Sequence, residues 1–358
     1  MIKAAIVGCG KIADDHAWAI SLMQDAEIVG VCDIEELMAK QLYQRFKIKR
    51  YFRDIHDMLE AACPDVVHIT TPPQSHFKIG KICLEAGCHA YIEKPFTINS
   101  DEADQLIRLA DQKKLKLTVG TDEQYSHIAI RMRKLINDGY LGGSPVHMEV
   151  YYCYDLGDER YAKSFLANRT HWVRRLPGQL MHNIISHGIA KIAEYLPGDN
   201  IKIIAHGFTS DSLKRIGEND LVDELRVIIN DNNKTTAYFT FSTQMRPLLR
   251  EFRIYGPKNG LIINQEHHTL IKVPGTHYKS YLDKFIPLNY YAKQYRKNIV
   301  ANARLFLKRD FHMKSGLKRL IELFYLSISN NLSPPISYKE ILITTKIMDA
   351  IFTQVYSE

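Results

Sequence analysis

Ile2-Lys3-Ala4-Ala5-Ile6-Val7-Gly8-Cys9-Gly10-Lys11-Ile12-Ala13 decides the reading of this chain. Ile2–Val7 is a short apolar run of the kind that forms a buried parallel strand, and the residues after it fit G-x-G-x-x-A. Between a strand and a helix, such glycines permit a tight turn and a close approach of backbone to a pyrophosphate. The helix beginning there turns unpaired N–H groups and a positive dipole end toward the anion. Gly8, Gly10, Lys11 and Ile12 are thus candidate cofactor-binding positions, although a plain strand-to-helix turn explains the glycines equally well. Asp33 supplies the second half of the pattern. It follows the strand-like run Ile28–Cys32, about 20–25 residues beyond the glycines, where a carboxylate accepts hydrogen bonds from ribose hydroxyls. A helix N-cap before Glu35–Arg45 is its local alternative. Taken together, the two features predict dinucleotide binding. Ile34, Glu35 and Glu36 follow with no arginine to meet a 2′-phosphate, which favours NAD over NADP.

Outward from this point the chain alternates strand and helix periods. Strand-like Val66–Thr70 and His89–Ile92 are separated by helical segments near Ile12–Met23, Glu35–Arg45, Ile55–Ala62 and Phe77–Ala86. Asn99 and Glu102 have capping-box spacing and open a helix to about Lys113. The alternation predicts a doubly wound parallel sheet of Rossmann type over residues 1–121. Beyond Gly120 a helix over Ser126–Asp138 precedes the runs Val146–Tyr154, Ile201–Phe208, Leu225–Ile229, Thr235–Ser242 and Phe252–Tyr255. Strands in succession predict a second α/β domain with an open, mainly antiparallel sheet over 122–337. One helix near Leu180–Tyr195 interrupts it, and 338–358 reads as a C-terminal amphipathic helix.

Two further stretches lie at strand ends, where ligands of open α/β sheets bind. Thr70-Thr71-Pro72-Pro73-Gln74-Ser75-His76 follows one strand, making Thr71, Pro72 and His76 cofactor-site candidates, with turn and cap chemistry as the alternative. Glu93-Lys94-Pro95 follows the next. A Glu and a Lys leaving a buried strand together are unusual, because such groups are seldom buried without partners. Lysine there can donate to a substrate oxygen and lowers its pKa readily on burial; a surface ion pair beside a turn is the other explanation. The Lys94–Pro95 bond is a candidate cis peptide.

The G-x-G-x-x-A turn, the T-P-P-x-x-H loop and the E-K-P triplet, in this order and spacing, resemble the glucose–fructose oxidoreductase, inositol dehydrogenase and MocA family. The likeness runs through about the first 120 residues. It continues more loosely in Val119-Gly120, Tyr125 and Ile136-Asn137-Asp138-Gly139-Tyr140-Leu141-Gly142. The resemblance implies an N-terminal Rossmann domain that holds NAD through Gly8, Gly10, Lys11, Ile12, Asp33, Thr71, Pro72, His76, Glu93 and Lys94. It also implies a C-terminal sheet that packs in homodimers or homotetramers, and substrates that are sugars, nucleotide sugars or cyclic polyols. The family's glycine turn and D-x-x-x-H helix match Gly178 and Asn183 to His187, four residues apart and so on one face of a single helix. By resemblance His187 is the general acid/base and Lys94 a donor to the same reacting oxygen, while hydride passes to or from nicotinamide. Asn183 stands where the family has aspartate and cannot carry a proton. Gln124 stands where many relatives have arginine. Asn183, Trp172, Arg174 and Gln124 are the substrate-binding candidates, with a solvated basic turn as the alternative for Arg174. An inositol-type polyol dehydrogenase and a non-catalytic, NAD-binding regulatory relative are the competing functions.

Composition narrows the remaining classes. The six cysteines form no C-x-x-C pair, which predicts reduced structural thiols, no zinc site and a cytoplasmic location. A strand starting at Ile2 is not expected of a secretory leader, and no run spans a bilayer. Residues 271–330 hold twelve Lys and Arg against Asp283, Asp310 and Glu322, a net +9 that leaves the rest of the chain at −2. This stretch, about 275–330, reads as a basic helical insertion. A subunit interface or a cover over an anionic substrate is preferred to a membrane-surface element through 281–326; nucleic acid is not expected without a recognised module.

Overall fold

The computed structural model describes residues 1–156, 168–198, 200–232, 235–312 and 314–356. The first 125 residues form strands β1 (Ile2–Val7), β2 (Ala26–Cys32), β3 (Tyr51–Phe52), β4 (Val66–Ile69), β5 (His89–Ile92) and β6 (Leu117–Val119). Helices α1 (Lys11–Ser21), α2 (Glu36–Phe46), α3 (Ile55–Ala62), α4 (His76–Glu85) and α5 (Ser100–Lys113) alternate with them. All neighbours are parallel, in the order β3-β2-β1-β4-β5-β6. The expected Rossmann sheet is therefore present, with its switch point between β1 and β4. Every residue of β4 is buried, as two covered faces demand. Asn99 caps α5 by accepting from the Glu102 N–H at 2.9 Å, and Glu102 reaches back to the Ile98 N–H at 3.4 Å.

From Ser126 the elements are α6 (His127–Asn137), β7 (His147–Cys153), α7 (Gln179–Ile184), α8 (Ser186–Ala193), β8 (Ile201–Phe208), α9 (Asp211–Arg215), β9 (Glu224–Asp231), β10 (Thr235–Ser242) and β11 (Arg250–Tyr255). Strands β12 (Asn259–Asn264) and β13 (Thr269–Pro274) and helices α10 (Ile286–Leu307), α11 (Ser315–Ser329) and α12 (Tyr338–Tyr356) complete them. The second sheet runs β13-β12-β11-β7-β10-β9-β8, antiparallel except for the β7–β10 pair. Period-two burial is clear in β9, where Leu225, Val227 and Ile229 are buried while Ile228 and Asn230 are exposed. Gly188 lets α8 close on the sheet, since a Cβ there would stand 2.5 Å from the Phe239 ring.

Two expectations are corrected. The single helix near Leu180–Tyr195 is two, α7 and α8, joined at Ile185. The stretch 275–330 is not one element either. The chain divides into one unit of Met1–Tyr125 with Gly316–Asp349 and another of Ser126–Ser315 with Ala350–Glu358, so α10 and α11 fall in different units. The reason is the apolar stripe Leu317, Leu320, Ile321 and Phe324 on α11, which is buried in the core of the first unit. Lys116 Nζ also donates to the carbonyls of Ser327 and Leu332 at 2.5 Å each. The C-terminal helix expected over 338–358 is seen to Tyr356, and its last two positions lie outside the described residues.

Candidate active site in the nucleotide-binding unit

Gly8 has φ +91°, and a Cβ on it would lie 2.6 Å from Thr71 Cγ2 and 2.7 Å from the Thr71 N–H nitrogen. Only glycine fits there. Thr70 Oγ1 fastens the same corner by donating to the Gly8 and Val7 carbonyls at 2.6 and 3.1 Å. Gly10 is the opposite case. It is the N-cap of α1, with no side-chain cap, and the direction of its missing Cβ is open for 4 Å. An uncapped helix start fronted by open space is a fitting cradle for a pyrophosphate, with Lys11 and Ile12 supplying the first helical N–H groups. Asp33, half-buried at the end of β2, accepts from the Cys9 N–H at 2.7 Å and from the Glu35 N–H at 2.9 Å. It thus ties the glycine turn to the entrance of α2 and fulfils the N-cap alternative in part. Each carboxylate oxygen keeps a further lone pair for a ribose hydroxyl. The residues present fit a dinucleotide.

Thr71 is half-buried and Pro72 exposed, so both can face a ligand. His76 cannot. It is fully buried, with Nδ1 2.9 Å from the Pro95 carbonyl and Nε2 2.8 Å from the Thr71 carbonyl. Burial lowers its pKa against the pull of those carbonyls. The expectation that His76 touches cofactor is corrected: it clamps the T-P-P loop to the E-K-P segment. The Lys94–Pro95 peptide is cis.

Glu93 is buried at the end of β5. One carboxylate oxygen faces His16 Nε2 at 3.0 Å, and the other accepts from the Lys94 N–H at 3.2 Å. Gly120 lies so close that any side chain there would collide with the carboxylate. His16 Nδ1 meets His68 Nδ1 at 2.7 Å, and His68 Nε2 meets the Tyr325 hydroxyl at 2.7 Å. One set of roles pairs every proton in this buried row: Tyr325 donates to His68, His68 to His16, and His16 to Glu93. Tyr91 stacks on His68 with centroids 4.8 Å apart. Burial, with His16 adding, holds the His68 pKa well below the ordinary value. Burial alone would push Glu93 upward, but the hydrogen bond from His16, with Lys94 beside it, holds its carboxyl below the usual range. Nearby Asp122 goes the other way. Burial, then the charges of Glu123 and Glu93, push it up to about 8 against the pull of Lys94. Lys94 itself is half-buried.

Gln124, expected to bind substrate, is buried and faces inward. It accepts from Thr121 Oγ1 at 2.7 Å and donates to Glu340 at 2.6 Å.

In the second unit, Trp172 is half-buried in a short 3-10 turn, its ring tilted 31° to that of His171 at 5.4 Å, and His171 accepts from the Val173 N–H. Arg174 forms a two-pronged pair with Glu218 at 2.7 and 3.1 Å. Gly178 leaves room for the Phe352 ring, on which His182 stacks at 4.8 Å. Asn183 ends α7 and His187 opens α8, both half-buried, on the two sides of Ile185 rather than on one unbroken helix. Among the described residues no three His, Cys, Asp or Glu group as a metal site.

Residues 2–121 match the model of an oxidoreductase family with an NAD-binding Rossmann fold, that of glucose–fructose oxidoreductase, inositol dehydrogenase and MocA. The match to this family lies in the first third of the chain. The D-glucoside 3-dehydrogenase of Escherichia coli (strain K12) is 30% identical over 142 residues, 39% of this chain and 40% of that protein. The UDP-N-acetylglucosamine 3-dehydrogenase of Acidithiobacillus ferrooxidans is 30% identical over 119 residues, 33% and 36% of the two chains. The chain thus spans about two fifths of the curated relatives it matches first. In fold it resembles, over 99% of its length and 96% of theirs, the WlbA dehydrogenase from Bordetella pertussis solved with NADH and UDP-GlcNAcA (TM-score 0.79, 17% identity).

His16, His68, Tyr325 and Asp122 were not anticipated. A signal existed for two of them. His16 shares the helical stripe of Ala13, Ala17 and Ile20, and His68 interrupts an otherwise apolar strand.

Proposed function

We propose that this chain is an NAD-dependent oxidoreductase that exchanges hydride with a secondary alcohol or ketone of a sugar or nucleotide sugar. The observation that carries the reading is the pinned Glu93–Lys94 pair in a unit whose glycine turn fits a dinucleotide. When bound, the nicotinamide supplies the hydride chemistry. Lys94 donates to the substrate oxygen as it passes between alcohol and ketone, and Glu93 and His76 hold the surrounding backbone. His187 takes or returns the hydroxyl proton as general base or acid, its half-buried ring suited to that exchange. Asn183 can orient a hydroxyl but not take its proton. Trp172 offers an apolar face to a sugar, and Arg174 reaches an anionic group only by leaving Glu218.

NAD is favoured over NADP because Glu35 and Glu36 follow Asp33, and Arg53, the nearby cation, pairs with Glu36 at 4.0 Å. The printed activities of the glucoside and UDP-N-acetylglucosamine relatives support a sugar ring carbon as the reacting centre. Free thiols throughout support a cytoplasmic location.

The test is Lys94→Ala assayed by nicotinamide absorbance over a panel of sugars, inositols and nucleotide sugars. Turnover should fall about 100-fold or more while NADH affinity changes little. Undiminished turnover would sink the assignment. NADH binding without turnover of any substrate by the parent protein would favour the regulatory reading.

A further inference from the structure

Helix α10 covers the edge strand β13 with a ladder of amides. Gln294 Oε1 accepts from the Lys272 N–H at 2.7 Å, and its Nε2 donates to the Lys272 carbonyl at 3.0 Å. One turn on, Asn298 does the same for Leu270 at 3.2 and 3.0 Å. Four helical residues rise about 6 Å and two strand residues about 6.8 Å, so the two repeats keep step. The edge is thereby closed to further strands.

This arrangement fixes which face of α10 looks outward, and that face is not polar. Phe285, just before the helix, and Leu288, Tyr295, Ile299, Phe306 and Leu307 along it are exposed, from 53% for Tyr295 to 80% for Leu307. Phe285, Leu288, Tyr295, Ile299 and Phe306, spaced by three, four or seven residues, form one stripe with Leu307 at its end. Lys293, Arg296, Lys297 and Arg304 run beside it, and no acid occurs between Ile286 and Leu307. On the cationic side the helix borders a groove of about 390 Å³ over β13, where Arg131, Lys134 and Lys272 join Lys297 and Asp138 is the one acid.

We infer that α10 and this groove form a docking surface for an anionic phospholipid bilayer. The apolar stripe enters the acyl boundary, and the cations beside it and in the groove meet headgroup phosphates. An isolated apolar stripe would equally suit a second copy of the chain. Charge decides against that, because each copy would bring four cations and no acid to the seam. The same charge favours an anionic lipid surface, whose negative potential attracts each Lys or Arg near the interface.

Flotation of the full chain with vesicles tests this, using about 30% phosphatidylglycerol in phosphatidylcholine against phosphatidylcholine alone. Binding should require the anionic lipid and weaken about tenfold or more when salt rises toward about 0.5 M. Arg296→Glu with Lys297→Glu should weaken it about tenfold or more. Phe285→Ser with Ile299→Ser and Phe306→Ser should also release the vesicles, with thermal melting and NADH affinity unchanged. Equal binding to both vesicle types, or none to the anionic ones, overturns the inference. So does a fall in solution mass in the serine variant when the parent protein binds no vesicles, which would give the stripe to a second copy.

Discussion

Glu93 stays ionised inside the first unit because its partners are buried with it. His16 approaches one carboxylate oxygen, and His68 and Tyr325 continue the row away from it. Removing the middle of the row is costly on both sides. His68→Phe leaves a buried hydroxyl and a buried ring nitrogen unpaired, at about 1–3 kcal/mol each. Urea unfolding should therefore show a loss of about 2–6 kcal/mol. The row also makes stability acid-sensitive. His68 and His76 have lowered pKa values when folded, so the unfolded chain binds more protons as pH drops below about 6.5. Their contribution is complete above that pH and is lost as pH falls through the unfolded value. Glu93 adds a loss in the same direction below about pH 4.3, where the unfolded carboxylate takes up its proton. Melting temperature followed from pH 7.5 to 5 should fall, and His68→Phe should flatten the decline. A flat profile in the parent protein would contradict the neutral buried histidines.

At the scale of elements, two glycines set close approaches and give opposite readouts. Gly8→Ala forces a Cβ into Thr71 and Thr70 from a left-handed backbone, so NADH binding should be lost with the shape of the turn. Gly178→Ala drives a Cβ into the Phe352 ring. It should lower the stability of the second unit by about 1–3 kcal/mol while the first unit still binds NADH. Fluorescence titration with NADH separates the two. The strands β1 and β5 and helix α3 were legible to the residue, since their apolar runs and flanking turns agree. β12 and β13 were not, because Asn259-Gly260 opens one with a turn-forming pair and Thr269 and Lys272 interrupt the apolar run of the other. The helix bearing Asn183 and His187 was placed correctly in outline. Its break at Ile185 leaves no mark in an unbroken apolar period.

For the whole molecule, the outer face of the second sheet carries exposed Ile204, Phe208, Ile228 and Tyr238. We propose it as the surface on which the homodimer or homotetramer expected from the sequence would form. Ile204→Glu with Ile228→Glu should lower the mass found by light scattering, and an unchanged mass would place the interface elsewhere. NADH at about 100 times its Kd should add about 2.7 kcal/mol to the stability of the unit that binds it.

The sequence by itself determined the Rossmann unit, its glycine turn, the acidic end of β2 and the E-K-P lysine. Each of these is written in a few consecutive residues with a local physical cause. Only the tertiary structure decided that Glu93 is held through His16, His68 and Tyr325, positions 52 and 257 residues apart in the chain. It likewise decided that His76 clamps rather than binds, that Arg174 is met by Glu218, and that α11 belongs to the first unit. Those outcomes depend on which distant groups share a dry interior, where an unpaired polar atom is expensive, and local periodicity carries no record of that.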